Sequence, residues 1–510
     1  MGSIRKQTII SSLLVYFGFF IGLINIYFYT AKVPFLFYQS GNIFTPDQFA
    51  ITRIFFDFGQ IMFAFGSLGV IPVIYKFYPY YKDNLEANKI DLLSWSILIS
   101  FIGFILVTLG GWYFEPLFIR KFSQNSGLIV DYYFWLFPFA MGMLFFSVIE
   151  SFCWALNKSV ISNFMKETGL RLLTSILIML FYFRLISFRN FIFLFSFQYL
   201  FVFLVLLFYL YKSGHLYFTF QISRVTRKFW KKIASMQSLI FGGTIIAAVA
   251  STIDSLIIAS LKGLTATGIF MFAQYAANLI QVPQRSIQAI SAGVLSRAWK
   301  DKNYPEINRI YQRSCINLLL MSLFIFGNMW LNIKDGMLVL NIQNEYANGL
   351  GVIFILGLVR IVDAGTGLNA MVINTSTFWR FDFYSGVVLL AFRLPLTYYL
   401  IKNYGIIGSA FAELAAYSVY NFIRFEFLRR KFNMQPFNLK TLYSLILAGI
   451  AFGFCFFLMQ TFHGLPAIFI RIFVFSSIMI AGIFYWKLTP DAAQLYDNLL
   501  KRVNKIRAKN

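Results

Sequence analysis

About fourteen apolar runs, each near the 20 residues needed to cross a bilayer as a helix, follow one another along this chain with mostly short polar connections between them. In the first part they fall near Gln7 to Tyr29, Phe49 to Tyr75, Leu92 to Trp112, Leu128 to Trp154, Val160 to Phe183 and Phe191 to Tyr211. The remainder fall near Ser235 to Leu261, Thr265 to Ile290, Ile310 to Leu331, Leu350 to Val372, Phe383 to Ile401, Ile406 to Phe427, Thr441 to Gln460 and Leu465 to Trp486. Hydrocarbon offers no water to backbone N–H and C=O groups, so runs of this length specify internally bonded helices and an all-α, polytopic membrane protein. A charged fraction of 13% supports this, being about half that of a soluble domain.

The net charge of +24 is spread between the apolar runs instead of collected on one soluble face, which argues against a nucleic-acid partner and for anionic membrane lipids. The longest polar interruption, Tyr211 to Lys232, carries Lys212, Arg224, Arg227, Lys228, Lys231 and Lys232 and no acid. By the positive-inside bias it is cytoplasmic, as are the other even-numbered connections, where most Lys and Arg lie, and both termini. Arg5 and Lys6 precede an apolar run that is too long for a signal peptide and lacks a small-residue cleavage site, which predicts a retained first helix. Cys153, Cys315 and Cys455 share no short spacing and read as packing residues, and no metal or cofactor site is expected.

These boundaries predict an N-terminal six-helix lobe over 1–211, a basic cytoplasmic inter-lobe loop over 212–234 and a C-terminal six-helix lobe over 235–430. Two additional transmembrane helices follow over 431–488. The tail over 489–510, opened by Thr489 and Pro490, reads as an amphipathic cytoplasmic helix or a frayed basic segment. The first six runs and the next six echo one another, with YYKDN at 80–84 matched by WKDKN at 299–303. Lobes of even helix number share an orientation, so a pseudo-two-fold axis would follow the membrane normal.

Polar residues repeated on one helix face mark the surfaces that need a partner or water inside a membrane. The eighth run carries Gln274, Asn278, Gln281, Arg285 and Gln288 at steps of four and three, and the second carries Arg53, Asp57, Gln60 and Ser67. With Ser11, Gly18, Gly22, Asn25 and Tyr29 on the first run and Gln237, Thr244, Ser251 and Ser255 on the seventh, they suggest a central cavity. Arg360 and Arg393 join Arg53 and Arg285 as candidate cavity residues, and Asp57, Asp254, Asp363 and Glu413 are candidate ion-coupling sites. The competing reading is local neutralisation: Arg360 with Asp363, Arg53 with Asp57 and Glu167 with Arg171 are spaced to pair within their own helices.

IDSLIIASLKGLTATGIFMFAQYAANL at 253–279 and YGIIGSAFAELAAYSVYNFIRFEFLRR at 404–430 resemble hairpin and Gly-rich helix segments of the multidrug/oligosaccharidyl-lipid/polysaccharide flippase superfamily. TPDQFAITRIFFDFGQ resembles its first-half hairpin, with Phe49 and Ala50 where a glycine is usual. The likeness is to the bacterial polysaccharide transporter, or O-antigen flippase-like, branch. It implies a two-lobed, monomeric alternating-access transporter of the bacterial inner membrane that moves a lipid-linked oligosaccharide, commonly undecaprenyl-diphosphate-linked, for polysaccharide or lipopolysaccharide biosynthesis, alongside polysaccharide polymerase machinery. Arginine forks suit a diphosphate. A cation-coupled multidrug exporter of the same superfamily is the nearest alternative. A membrane-embedded polymerase or ligase is a further one, opposed by the lack of a large outer loop, and no Walker-type phosphate loop is present.

Overall fold

The computed structural model describes residues 2–33, 42–156, 158–458 and 461–491. Among these residues the helices fall into fourteen consecutive groups, one for each apolar run, and no strand is formed. In chain order they are α1 (Gly2–Thr30), α2 (Pro46–Gly66, resuming as Val70–Lys82), α3 (Leu92–Phe122), α4 (Leu136–Ala155), α5 (Ser159–Asn163, a π turn Phe164–Gly169, then Leu170–Tyr182), α6 (Phe188–Lys212) and α7 (Arg224–Lys262). They continue as α8 (Leu264–Asn278, a 3₁₀ turn Leu279–Gln281, then Val282–Lys300), α9 (Tyr304–Val339), α10 (Leu350–Gly365, resuming as Asn369–Asn374), α11 (Trp379–Tyr404), α12 (Ile406–Phe432), α13 (Leu439–Leu458) and α14 (Leu465–Tyr485).

Eleven helices among the described residues are long and apolar enough to cross a membrane. The other three groups are α1, α5 and α8. In α5 the π turn leaves pieces no longer than 13 residues, and in α8 the 3₁₀ turn leaves a 15-residue piece and a polar 19-residue piece that carries Arg285, Arg297 and Lys300. Two further breaks have sequence causes. Gly69 enters the left-handed region at φ 76° between the halves of α2, and Gly367 does so at φ 69° between the halves of α10. Pro283 occupies the first turn after the 3₁₀ segment of α8, where its missing N–H costs no helix bond.

Contacts group the chain into two compact units, 1–268 and 269–510. The first unit contains α1 to α7. Its helices meet through aromatic rings: Phe139 of α4 stacks on Phe195 of α6 at 5.7 Å and meets Tyr199 edge-on at 5.2 Å. Gly142 lets α4 approach α6 so closely that a β-carbon there would strike the backbone nitrogen of Leu200.

Helix α7 starts at Arg224, well before the expected Ser235, because Ser223 caps it by accepting from the Thr226 N–H at 3.1 Å. At 39 residues it is about 58 Å long, against a hydrocarbon core of about 30 Å. Its basic first turns therefore lie beyond the apolar layer. The connection from α6 to α7 is bound to α3 and the residue before it: buried Asp91 accepts from the Ser223 N–H at 2.9 Å and from the Thr226 hydroxyl, and Ser94 accepts from the Thr219 N–H at 2.9 Å.

The second unit contains α9 to α14 and most of α8. One core joins α8, α9, α10 and α12 through Leu295, Ile307, Tyr311, Val372 and Leu428. Another joins α9, α13 and α14 through Leu320, Ala451, Phe475 and Met479. Cys315 and Cys455 sit in these cores and Cys153 is buried in α4, all as free thiols in packing positions. Arg471 of α14 pairs with Asp335 at the end of α9, which also accepts from the Gly464 N–H at 3.1 Å, so the last hairpin is fastened to α9. At the opposite end Asp491 accepts from Arg313 and Asn317. The expected tail helix from 492 onward lies outside the described residues.

Candidate functional site

In the first unit, the polar stripe of α2 finds partners on α7. Asp57 accepts from the Ser255 hydroxyl, and Ser251 donates to Gln60 at 3.2 Å, one turn further along both helices. Near the α7–α8 turn, Thr265 donates to Asp47. Asp254 is buried beside Ser255, and the Arg53 guanidinium lies 5.2 Å from the Phe49 ring and 5.9 Å from that of Phe56. The stripe on α1 has a different destination. Gly18 abuts the Glu167 carbonyl, Asn25 donates to the Arg171 carbonyl at 2.9 Å and accepts from Ser175 at 2.7 Å, and Tyr29 is fully buried against Phe44 and Phe49. This face of α1 packs on α5 and the aromatic core, which corrects its assignment to a cavity wall. The side chain of Ser11 lies outside the described residues.

The second unit holds a buried three-charge cluster. Arg360 of α10 and Arg393 of α11 reach opposite oxygens of Glu413 on α12, at 3.0 and 3.2 Å, and all three side chains are under 10% exposed. The Tyr417 ring lies 6.0 Å from the Arg360 guanidinium and 5.6 Å from that of Arg393. Arg360 thus takes its ion-pair partner from α12, where the competing reading paired it with Asp363 three residues along its own helix. The Glu413 carboxylate is shared by two guanidinium groups. Desolvating such a group is tolerable only with this degree of pairing.

Asp363 is instead held by amides. Gln281 and Gln284 of α8 donate to one of its oxygens at 3.0 and 3.2 Å, and Asn421 of α12 donates to the other at 3.2 Å. The Asn421 carbonyl accepts in turn from Thr366 and Asn369, both at 2.9 Å. The breaks in α8 and α10 fall beside this network, since Gln281 ends the 3₁₀ turn and Thr366 and Asn369 flank Gly367. Of the α8 stripe, Gln274, Asn278, Gln281 and Gln288 are half-buried and Arg285 is exposed.

Among the local pairs proposed from spacing, Glu167 with Arg171 forms at 3.1 Å. Sequence reading passed over Gln284, Asn421, Thr366 and Asn369. A signal for Asn421 was available, because Glu413, Tyr417, Asn421 and Arg424 recur at steps of four, four and three along one face of α12. It also passed over Glu150, a buried carboxylate of α4 that accepts from Lys166 at 3.0 Å. Among the described residues no group of His, Cys, Asp and Glu could hold a metal ion.

This set of helices defines a class of fold, that of all-α, multi-pass membrane proteins with polar groups buried inside each unit. Solved structures make the assignment specific. The chain is similar to the lipid II flippase MurJ in an inward closed conformation, with a TM-score of 0.68 and 16% identity over 94% of this chain and 99% of that one. It is also similar to a multidrug resistance MATE family transporter of the MOP superfamily in an inward-facing conformation, with a TM-score of 0.60 and 14% identity over 76% of this chain and 91% of that one. A MOP superfamily transporter from Pyrococcus furiosus, described by the reverse polarity of its binding pocket, gives a TM-score of 0.57 and 12% identity over 84% of this chain and 96% of that one. No protein-family profile matches the sequence, and no curated protein matches it. The chain has the fold of the multidrug/oligosaccharidyl-lipid/polysaccharide transporters.

Proposed function

We propose that this protein is an alternating-access flippase that carries a lipid-linked oligosaccharide, with undecaprenyl diphosphate as the carrier, from the cytoplasmic to the outer leaflet of a bacterial inner membrane. The observation that carries this reading is coverage. The likeness to a lipid II flippase extends over 94% of this chain and 99% of that one, whereas the MATE multidrug transporters reach 76 to 85% of this chain. The shortfall is similar in size to the segment from 431 to the C-terminus, which holds α13 and α14.

Charge supports an anionic cargo. Arg360 and Arg393 bring two guanidinium groups to the Glu413 carboxylate, and Arg53 and Arg285 add further groups of a kind suited to phosphate oxygens. Arg53, Asp57, Gln60, Gln274, Asn278, Gln281, Arg285, Gln288, Arg360 and Arg393 are the proposed headgroup contacts. Asp57, Asp254, Asp363 and Glu413 are the proposed ion-coupling groups, with membrane potential acting on the anionic headgroup as a second drive, worth about 2.3 kcal/mol per charge per 100 mV. The protein is proposed to act as a monomer with cytoplasmic termini, delivering its product to polysaccharide polymerase machinery for O-antigen or a related glycan. Deleting the gene tests this directly: the lipid-linked repeat unit should accumulate on the inner leaflet. Drug sensitivity with no glycan build-up would identify an exporter instead, and an unpolymerised unit already outside would identify an enzyme.

A further inference from the structure

A groove of about 300 Å³ opens on the outer surface of the first unit between α5 and α6. Its walls are Ile161, Met165, Val205, Leu206 and Phe208, with Tyr209, Lys212 and Ser213 at one end. The π turn Phe164–Gly169 interrupts α5 beside it and contributes Met165. Such turns displace a helix from regular packing and recur at functional sites. Here the turn is held by two ion pairs, Glu150 with Lys166 at 3.0 Å and Glu167 with Arg171 at 3.1 Å. The carboxylates of this region are therefore committed to other cations, and none lines the groove.

Its end is basic. Lys212 closes α6, while Lys158, at the start of α5, sits 5.3 Å from the Tyr209 ring and 3.3 Å from Nδ1 of His215. Phe208, 65% exposed, lies on the surface that a membrane-spanning α6 turns toward lipid. The groove thus combines an apolar trough with Lys212 on its lining and Lys158 over its Tyr209 wall, at the side that the Lys and Arg distribution marks as cytoplasmic.

We propose that this groove binds one anionic glycerophospholipid of the cytoplasmic leaflet, its acyl chain lying along Ile161, Met165, Leu206 and Phe208 and its phosphate held by Lys158 and Lys212. A diester phosphate matches the charge of the rim, and the trough selects a ligand with a hydrocarbon chain over free phosphate. A soluble acidic partner would leave the trough unfilled. The site is separate from the buried charges assigned to cargo and does not rest on that assignment.

The test is native mass spectrometry of the full-length, delipidated protein titrated with phosphatidylglycerol, with phosphatidylcholine and with inorganic phosphate. The wild type should retain phosphatidylglycerol in preference to both others. Lys158→Gln/Lys212→Gln should weaken that retention roughly thirtyfold, each lysine contributing about fivefold, with an unchanged melting temperature. Lys158→Arg/Lys212→Arg should restore it. Equal retention by the Gln variant and the wild type would overturn the proposal, as would equal binding of the two lipids, retention of phosphate alone, or failure of the Arg variant to restore binding.

Discussion

Replacing Glu413 by Gln removes the one carboxylate that two buried guanidinium groups share. In the wild type Arg360 and Arg393 each lie within 3.2 Å of it, on helices α10 and α11, so one side chain of α12 fixes both neighbours. An amide keeps the size and one acceptor, yet leaves two like charges facing each other in a site almost closed to solvent. Breaking a buried pair of this kind costs about 3 to 5 kcal/mol, and a domain of this size loses about 2 to 4 °C of melting temperature per kcal/mol. The expected fall is therefore on the order of 10 °C, read by thermal unfolding of purified protein in detergent. A second variant separates fold from cargo. Arg360→Met/Glu413→Leu/Arg393→Met removes the whole cluster, which costs little or even stabilises when apolar packing is kept. It should melt near the wild type while losing glycan export. A Glu413→Gln protein melting within about 1 °C of the wild type would refute the claim that this cluster holds α10, α11 and α12 together.

Three further outcomes follow from other contacts. Asp91→Ala removes the acceptor for Ser223 and Thr226, so the connection from Ser213 to Ser223 should detach and trypsin should cleave at Lys212 or Arg224 faster than in the wild type. Gly142→Ala should lower the melting temperature of the first unit through about 1 to 3 kcal/mol of overpacking against α6, whereas Gly110→Ala, where a β-carbon meets nothing within 4 Å, should be neutral or slightly stabilising. Asp57→Asn preserves an acceptor for Ser255 and removes a titratable group, so transport assayed across pH and sodium concentration should lose its dependence on one of them. An unchanged profile would leave Asp57 a packing role.

The number and order of helices were legible because spanning length and apolar content are local properties, and each expected run corresponds to one helical group in the chain. The breaks were less so. Gly69 and Gly367 read as ordinary small residues until the backbone shows them in left-handed turns, and nothing in FMKETG announces a π turn in α5. Stripe periodicity located the α2 and α8 faces, and Asp57, Gln60 and Gln281 do bond across helices. Spacing gave the right partner for Glu167, which pairs with Arg171, and the wrong one for Arg360. Arg360 sits three residues from Asp363, yet packing brings Glu413 of α12 to it and gives Asp363 to three amides. The same limit explains α1: a small, polar helix face serves close packing on α5 as well as it would serve a wet cavity, and the pattern alone does not distinguish them.

Flipping itself gives the most direct measurement. Proteoliposomes containing the purified protein and a fluorescent undecaprenyl-diphosphate oligosaccharide report leaflet exchange when an outside quencher reaches the translocated headgroup. The account predicts protein-dependent exchange that Arg285→Ala abolishes without altering reconstitution. Exchange no faster than in protein-free liposomes, under imposed proton, sodium and potential gradients alike, would contradict it.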